Sequence, residues 1–232
     1  MFKSILSGYQ AIIFDMDGTV LENQQVWDNA IRKVLGKYIT VENPYWGQRG
    51  LPLLELIEDI RDANDGTINF SVEKAYNEIN QDFFEHFMEV EIKPGFEELA
   101  EKLIADEKRL ILVTNTDREI AFEILSKLDL LKYFEFILTR SDVRVGKPEP
   151  DIYLLAQKKL GVIKERILVF EDSPSGFLAC ERAALNSIIV LPEDAYAGEY
   201  GSNAKLFIKN FYDVIELYDV DLEDFYVQNI SN

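Results

Sequence analysis

Four short segments carry the side chains that could do chemistry. Asp15-Met16-Asp17-Gly18-Thr19 sets two carboxylates two residues apart, ahead of a glycine and a hydroxyl. Thr114-Asn115 offers a hydroxyl and an amide, Gly146-Lys147-Pro148 an ammonium, and Glu171-Asp172 a second pair of acids. If these segments converge, Asp15, Asp17, Glu171 and Asp172 bring up to four negative charges together, and like charges so close oppose shared ionisation. A divalent cation resolves that conflict. An all-oxygen donor set points to Mg2+ rather than zinc. The chain has one histidine, His86, and one cysteine, Cys180, which nearly excludes a conventional zinc site. Such a cation and Lys147 could hold a phosphoryl group, whose transfer needs charge stabilisation and alignment more than covalent help. A carboxylate can serve as the nucleophile. A second carboxylate two residues on could protonate the leaving oxygen and then deprotonate the attacking water, a contribution of roughly 10²–10⁴ in rate. Gly18 permits the sharp turn that would let both acids face one point.

The elements around these segments explain how they could meet. Ala11-Ile12-Ile13-Phe14 is a short apolar run that stops at Asp15, the mark of a fully buried strand. From residue 92 onward, apolar runs at 110–113, 136–138, 167–170, 187–190 and 206–208 alternate with helical patterns. The helix at 150–160 stops at Gly161, a C-cap residue. Alternation of this kind predicts an α/β fold with a parallel sheet, right-handed crossovers and helices on both faces. Ligands of open parallel sheets bind beyond the carboxyl ends of the strands, and all four segments fall at or just after such ends. Residues 22–91 break the alternation. Trp27, Ile31, Val34 and Leu35, then Leu53, Leu54, Ile57 and Ile60, then Ala75, Ile79, Phe83, Phe87 and Val90 recur at helical spacing. We read 22–91 as a small all-helical cap domain inserted after the first strand, with 1–21 and 92–232 forming the core domain. Hinges are expected near 21–23 and 91–94.

Composition limits the partners. Apolar residues at 47% allow a sizeable core, and charged residues at 28% are ordinary for a globular protein. A net charge of −18 argues against sequence-independent binding to nucleic acid or to anionic membrane. A single cysteine forbids an intrachain disulfide. The first ten residues hold no apolar run of signal-peptide length, so a cytoplasmic location is expected.

The four segments resemble, in order and in placement, the four motifs of the haloacid dehalogenase superfamily. The helical insert resembles the small cap of its phosphoglycolate phosphatases and β-phosphoglucomutases. The likeness runs to about Leu191. It implies a Rossmann-like core and Mg2+-dependent hydrolysis of a small phosphorylated metabolite through a phospho-aspartyl intermediate. It implies Asp15 as nucleophile and metal ligand, and Asp17 as general acid and base that binds metal through its carbonyl. Thr114, Asn115 and Gly18 would meet the phosphoryl oxygens, and Lys147 would neutralise nucleophile and phosphate. Asp172, with Glu171 beside it, would complete the Mg2+ shell. The acid two residues after Asp15 resembles the phosphatase branch, since the dehalogenases lack it and use no metal.

Each motif also has a plain reading. Asp-x-Asp-Gly-Thr can be an ordinary turn, a Thr-Asn pair can cap a helix, and an isolated lysine is usually a surface residue. Four motifs in register weigh against these readings together. Arg49 or Gln48, in the loop 46–52 between two cap helices, would read the leaving group in capped relatives; an exposed linker residue is the competing view. Phe83, Phe84 and Phe87 read as cap core, and Cys180 as packing. Two other functions stand behind hydrolysis. A phosphosugar mutase of the β-phosphoglucomutase type fits the Glu171-Asp172-Ser173 run, but 21–25 carries no histidine where those mutases have one. A phospho-accepting signalling domain or a non-catalytic binding protein is the reading from another class.

Overall fold

A computed structural model describes residues 6–38, 50–62, 70–191, 198, 200 and 204–218. Six strands form one sheet: β1 (Ala11–Phe14), β4 (Arg109–Val113), β5 (Phe136–Leu138), β6 (Ile167–Glu171), β7 (Asn186–Val190) and β8 (Leu206–Ile208). Their order is β5-β4-β1-β6-β7-β8 and every pairing is parallel. The chain runs outward from β1 to one edge, returns, and continues to the other edge from β6. The order therefore reverses beside β1, which opens a crevice at the carboxyl end of that strand.

Strand periodicity divides the core. Ile12 and Phe14 face one side of the sheet and Ala11 and Ile13 the other, each set in its own buried cluster. The Phe14 ring stacks on Phe170 at 5.0 Å and meets Phe96 edge-on at 5.4 Å, so β1 and β6 are held in register up to the residues beyond them. Helices α4 (Phe96–Ala105), α5 (Arg118–Lys127), α6 (Asp151–Leu160), α7 (Pro174–Ala183) and α8 (Tyr212–Tyr218) flank the sheet. Gly161 ends α6 at φ +65°, the left-handed C-cap that its position predicts.

Helices α1 (Gln24–Leu35), α2 (Leu53–Asp62) and α3 (Val72–Glu85) lie between two short strands, β2 (Leu21–Glu22) and β3 (Glu91–Ile92). Those strands pair antiparallel, Leu21 with Ile92 and Glu22 with Glu91, so both connections to the helical insert form one ribbon. The helices pack through Trp27 of α1, stacked on Phe83 of α3 at 3.9 Å, with Phe84 and Phe87 against Phe83. The third helix is shorter than its periodicity suggests. It stops at Glu85, and Phe87–Glu89 form a 3-10 turn whose end places Val90 in extended backbone before β3. The apolar spacing persists through the turn because both sides of the break face the same core.

Candidate active site

Asp15 follows β1 directly and is buried, with 6% of its surface exposed. Its Oδ1 accepts from Lys147 Nζ at 2.5 Å. The same ammonium, 1% exposed, donates to Glu171 Oε1 at 2.6 Å and to the Val113 carbonyl at 3.2 Å. Three separate strand ends thus converge on one cation. Burial opposes the charge on Lys147, but the Asp15 and Glu171 carboxylates override it and hold the ammonium above the ordinary lysine range. Burial pushes the Asp15 carboxyl well above its usual value. Lys147 draws it down, and Glu171, Asp172 and Asp17 push it further up.

Glu171 is held on all sides. Its Oε1 also accepts the Tyr153 hydroxyl at 2.7 Å, and its Oε2 accepts the backbone N–H groups of Asp172 and Ser173 and the Ser173 hydroxyl at 3.1–3.2 Å. Ser173 caps α7 by accepting from the Gly176 N–H at 3.0 Å, with Pro174 at the first helical position. Gly176 faces the Glu171 carboxylate so closely that an added Cβ would lie 1.9 Å from Oε1. Glu171 cannot swing away without breaking with Lys147 and Tyr153. Gly176→Ala is therefore expected to destabilise the fold by about 1–3 kcal/mol, the range for overpacking a fixed site. A lower denaturant midpoint at unchanged slope would show it.

One carboxylate oxygen each of Asp15, Glu171 and Asp172 lies within 4.8 Å of the other two. All are buried oxygen donors, the chemistry that suits a hard divalent cation. Glu171 has protein donors on both oxygens, which leaves Asp15 and Asp172 as the carboxylates better disposed toward a metal. Gly18, at φ +89°, leaves room for this arrangement: a Cβ there would sit 2.1 Å from Asp172 Oδ2. The Thr19 hydroxyl donates to Asp172 Oδ1 at 3.3 Å.

Asp17 is clamped from two segments, 23–27 and 114–116. Its Oδ1 accepts from Asn23 Nδ2 at 2.6 Å and from Trp27 Nε1 at 3.1 Å. Its Oδ2 accepts the Thr116 hydroxyl at 2.6 Å and the Thr114 hydroxyl at 3.2 Å. Gln24 Nε2 reaches its carbonyl oxygen at 3.2 Å. Thr116, Asn23 and Trp27 escape the reading of the sequence. The available signal was the polar run Thr114-Asn115-Thr116-Asp117 after a buried strand, and a tryptophan in the first turn of α1.

Asn115 also lies at the β4 end, but its side chain brackets the lysine loop. Oδ1 accepts the Lys147 N–H at 2.9 Å, and Nδ2 donates to the Lys147 carbonyl at 3.1 Å and to the Gly50 carbonyl at 2.6 Å. The insert meets the core at further points: Ser175 Oγ to the Gly50 carbonyl at 3.3 Å, Tyr76 hydroxyl to Asp117 Oδ2 at 2.6 Å, and Arg140 to Glu55 at 2.5–2.9 Å. Burial, then the hydrogen bond to Asp117, raises the Tyr76 phenol above its ordinary value, so it remains a donor. Arg49 and Gln48 lie outside the described residues. Cys180 is buried in α7, and burial raises its thiol well above the usual range, in keeping with a packing role.

Between insert and core lies a cavity lined by Asp15, Asp17, Thr114 and Asn115 on one side and by Trp27, Ile31, Leu51 and Leu56 on the other. The cavity volume is about 90 Å3, several times the roughly 10–15 Å3 that one water takes up, so the space suits a small molecule.

Residues 12–190 match the family described as haloacid dehalogenase-like hydrolase. The chain is 34% identical over 190 residues to the phosphorylated carbohydrates phosphatase of Thermotoga maritima, covering 77% of this chain and 83% of that protein. It is 29% identical over 200 residues to the fructose-1-phosphate phosphatase of Escherichia coli, covering 78% and 96%. Its fold is similar to the crystal structure of a candidate β-phosphoglucomutase from Thermotoga maritima, at a TM-score of 0.70 and 27% identity over 93% of this chain and 99% of that one. Among the described residues no helix is long and apolar enough to cross a membrane. With the motif residues gathered at one crevice and more than three quarters of the sequence matched, the chain belongs to the haloacid dehalogenase-like hydrolase family and is a hydrolase of its phosphatase kind.

Proposed function

We propose that the protein is a Mg2+-dependent phosphatase that hydrolyses a small phosphomonoester through a phospho-aspartyl intermediate on Asp15. The observation that carries this reading is the buried Asp15 carboxylate, fixed 2.5 Å from the Lys147 ammonium and facing the cavity. An Asp15 oxygen attacks phosphorus, and the bond from phosphorus to the leaving oxygen breaks. Asp17 gives its proton to that oxygen, and the free alcohol departs. Asp17 then takes a proton from water as the water oxygen attacks phosphorus. The bond between Asp15 and phosphorus breaks, and inorganic phosphate leaves. Lys147 offsets charge at Asp15 and on the phosphoryl oxygens throughout.

Asp15, Asp172 and the Asp17 carbonyl would hold Mg2+, with Glu171 supporting Lys147 and the Asp172–Ser173 turn from behind. When bound, the cation supplies charge neutralisation to the phosphoryl oxygens. Thr114 and Gly18 would meet those oxygens, and Asn115 would fix the lysine loop beside them. Residues 22–91 would act as a cap domain that closes over the site and excludes bulk water, with the β2–β3 ribbon as its hinge. Hydrolysis is favoured over mutase chemistry because the hinge donors to Asp17 are Asn23, Gln24 and Trp27, with no histidine among them.

Turnover of a generic aryl phosphate by the pure protein tests the reading. Activity should require Mg2+ and vanish on chelation. Mg2+ at 100 times its Kd should also stabilise the folded protein by about 2.7 kcal/mol, read as a raised melting temperature without any substrate. Undiminished turnover in excess chelator would overturn the assignment.

A further inference from the structure

The two oxygens of Asp17 meet donors of different kinds. Oδ1 faces the helical insert, where Asn23 Nδ2 lies at 2.6 Å and Trp27 Nε1 at 3.1 Å. Oδ2 faces the core, where the Thr116 hydroxyl lies at 2.6 Å and the Thr114 hydroxyl at 3.2 Å. A hydroxyl has one proton and two lone pairs, so it can turn from donating to accepting. An indole N–H can only donate. A proton on Oδ2 would therefore find an acceptor in either threonine, whereas a proton on Oδ1 would meet the Trp27 N–H. The indole is held in place for this: its ring stacks on Phe83 of α3 at 3.9 Å, and it lines the cavity together with Asp17, Thr114 and Thr116. Asn23 alone could not impose the difference. It is 1% exposed, and its Oδ1 has no donor among the described residues. Turning its amide over would bring that oxygen to Asp17 Oδ1, where it would accept a proton. The indole N–H has no such alternative.

We propose that Trp27 is a positioning residue for the general acid: its N–H reserves Asp17 Oδ1 as a bare acceptor and leaves Oδ2 as the oxygen that carries the proton. This rests on the phosphatase reading of the site. Oδ2 gives its proton to the leaving oxygen as the bond from phosphorus to that oxygen breaks and the bond from Asp15 to phosphorus forms. The same oxygen takes a proton from water when the water oxygen bonds to phosphorus and Asp15 is released. Without the indole N–H, a proton could settle on Oδ1, on the side of Asn23, away from the hydroxyls that hold it at Oδ2.

Two esters built on one aromatic ring separate positioning from packing. Benzyl phosphate releases an alkoxide that needs a proton, and 2,4-dinitrophenyl phosphate a phenolate that leaves without one. Their kcat/KM values report the steps up to loss of the leaving group, where that difference is felt. Trp27→Phe keeps an aromatic ring against Phe83 and removes the N–H. The ratio of kcat/KM for the dinitrophenyl ester over the benzyl ester should rise at least about tenfold, the low end for one hydrogen bond to a charged group. The loss should fall on the benzyl ester. Thr116→Val keeps the side-chain shape and removes one reversible partner of Oδ2. It should move the ratio the same way, and Thr116→Ser should restore it. A ratio that stays at the wild-type value in Trp27→Phe, whether both rates hold or both fall, would overturn the inference. If that variant does not fold, an unmoved ratio in Thr116→Val would overturn it. Asp17→Asn tells the two readings apart. An unmoved ratio there, or wild-type protein inert toward both esters with Mg2+, would sink the phosphatase reading and the inference with it. A raised ratio in Asp17→Asn beside an unmoved one in Trp27→Phe would sink the inference alone.

Discussion

Lys147→Met should lose about 3–5 kcal/mol of folding stability and essentially all turnover. Methionine nearly matches the lysine stem in volume, so the change removes charge rather than packing. What remains is Asp15 and Glu171, both buried and both formerly paired with the same ammonium at 2.5 and 2.6 Å. Breaking a buried ion pair from one side leaves uncompensated charge, which sets the magnitude. The pH dependence follows from the Asp15 carboxyl. Burial already raises it well above the usual carboxylate range, and Lys147 opposes that rise. Without the lysine its folded value climbs further. A carboxyl whose folded value exceeds its unfolded one binds more protons when folded, so stability is lost as pH rises through the folded value. The deficit of the variant should therefore be larger at pH 8 than at pH 5. Denaturant unfolding of both proteins at the two pH values measures it. A variant as stable as the wild type at pH 8 would mean that the ammonium does not compensate the two acids.

Asp15→Asn should lower kcat by at least roughly 10⁴, the scale seen when one member of a catalytic unit is removed, while stability without metal changes little. The amide keeps the shape of the side chain, and Lys147 retains Glu171 as its partner. Asp17→Asn should fall less far, within the roughly 10²–10⁴ of general acid–base help. The contrast matters more than either number. Loss at Asp15 with the fold intact is what a nucleophile predicts, whereas a structural acid would lower activity and stability together.

The sequence was most readable where physics is local. The apolar runs of β1, β4, β6 and β7 are buried on both faces, so they stand out without alternation. Strand-end placement of Asp15, Thr114, Glu171 and the lysine loop followed from the parallel topology alone. Three features were not readable. Two-residue strands such as β2 and β3 carry no periodic signal, so the ribbon that joins the helical insert to the core is visible only once Leu21 pairs with Ile92. The clamp on Asp17 draws Asn23 and Trp27 from one side of the insert and Thr116 from the other end of the crevice, contacts up to 99 residues apart. Tyr153 carries no sequence signal of its own, yet its hydroxyl ends on Glu171 at 2.7 Å. Asn115 shows the converse. Its motif suggests phosphate, while its side chain is engaged with the backbone of Lys147 and Gly50.

The most direct test of the account is the mass of the peptide bearing Asp15 after acid quench of a single turnover with Mg2+ and substrate. A phosphoryl group should appear on Asp15 and decay at the rate at which inorganic phosphate is released. Release of phosphate at full rate with Asp15 unmodified at every time point, or with the phosphoryl group on another residue, would contradict it.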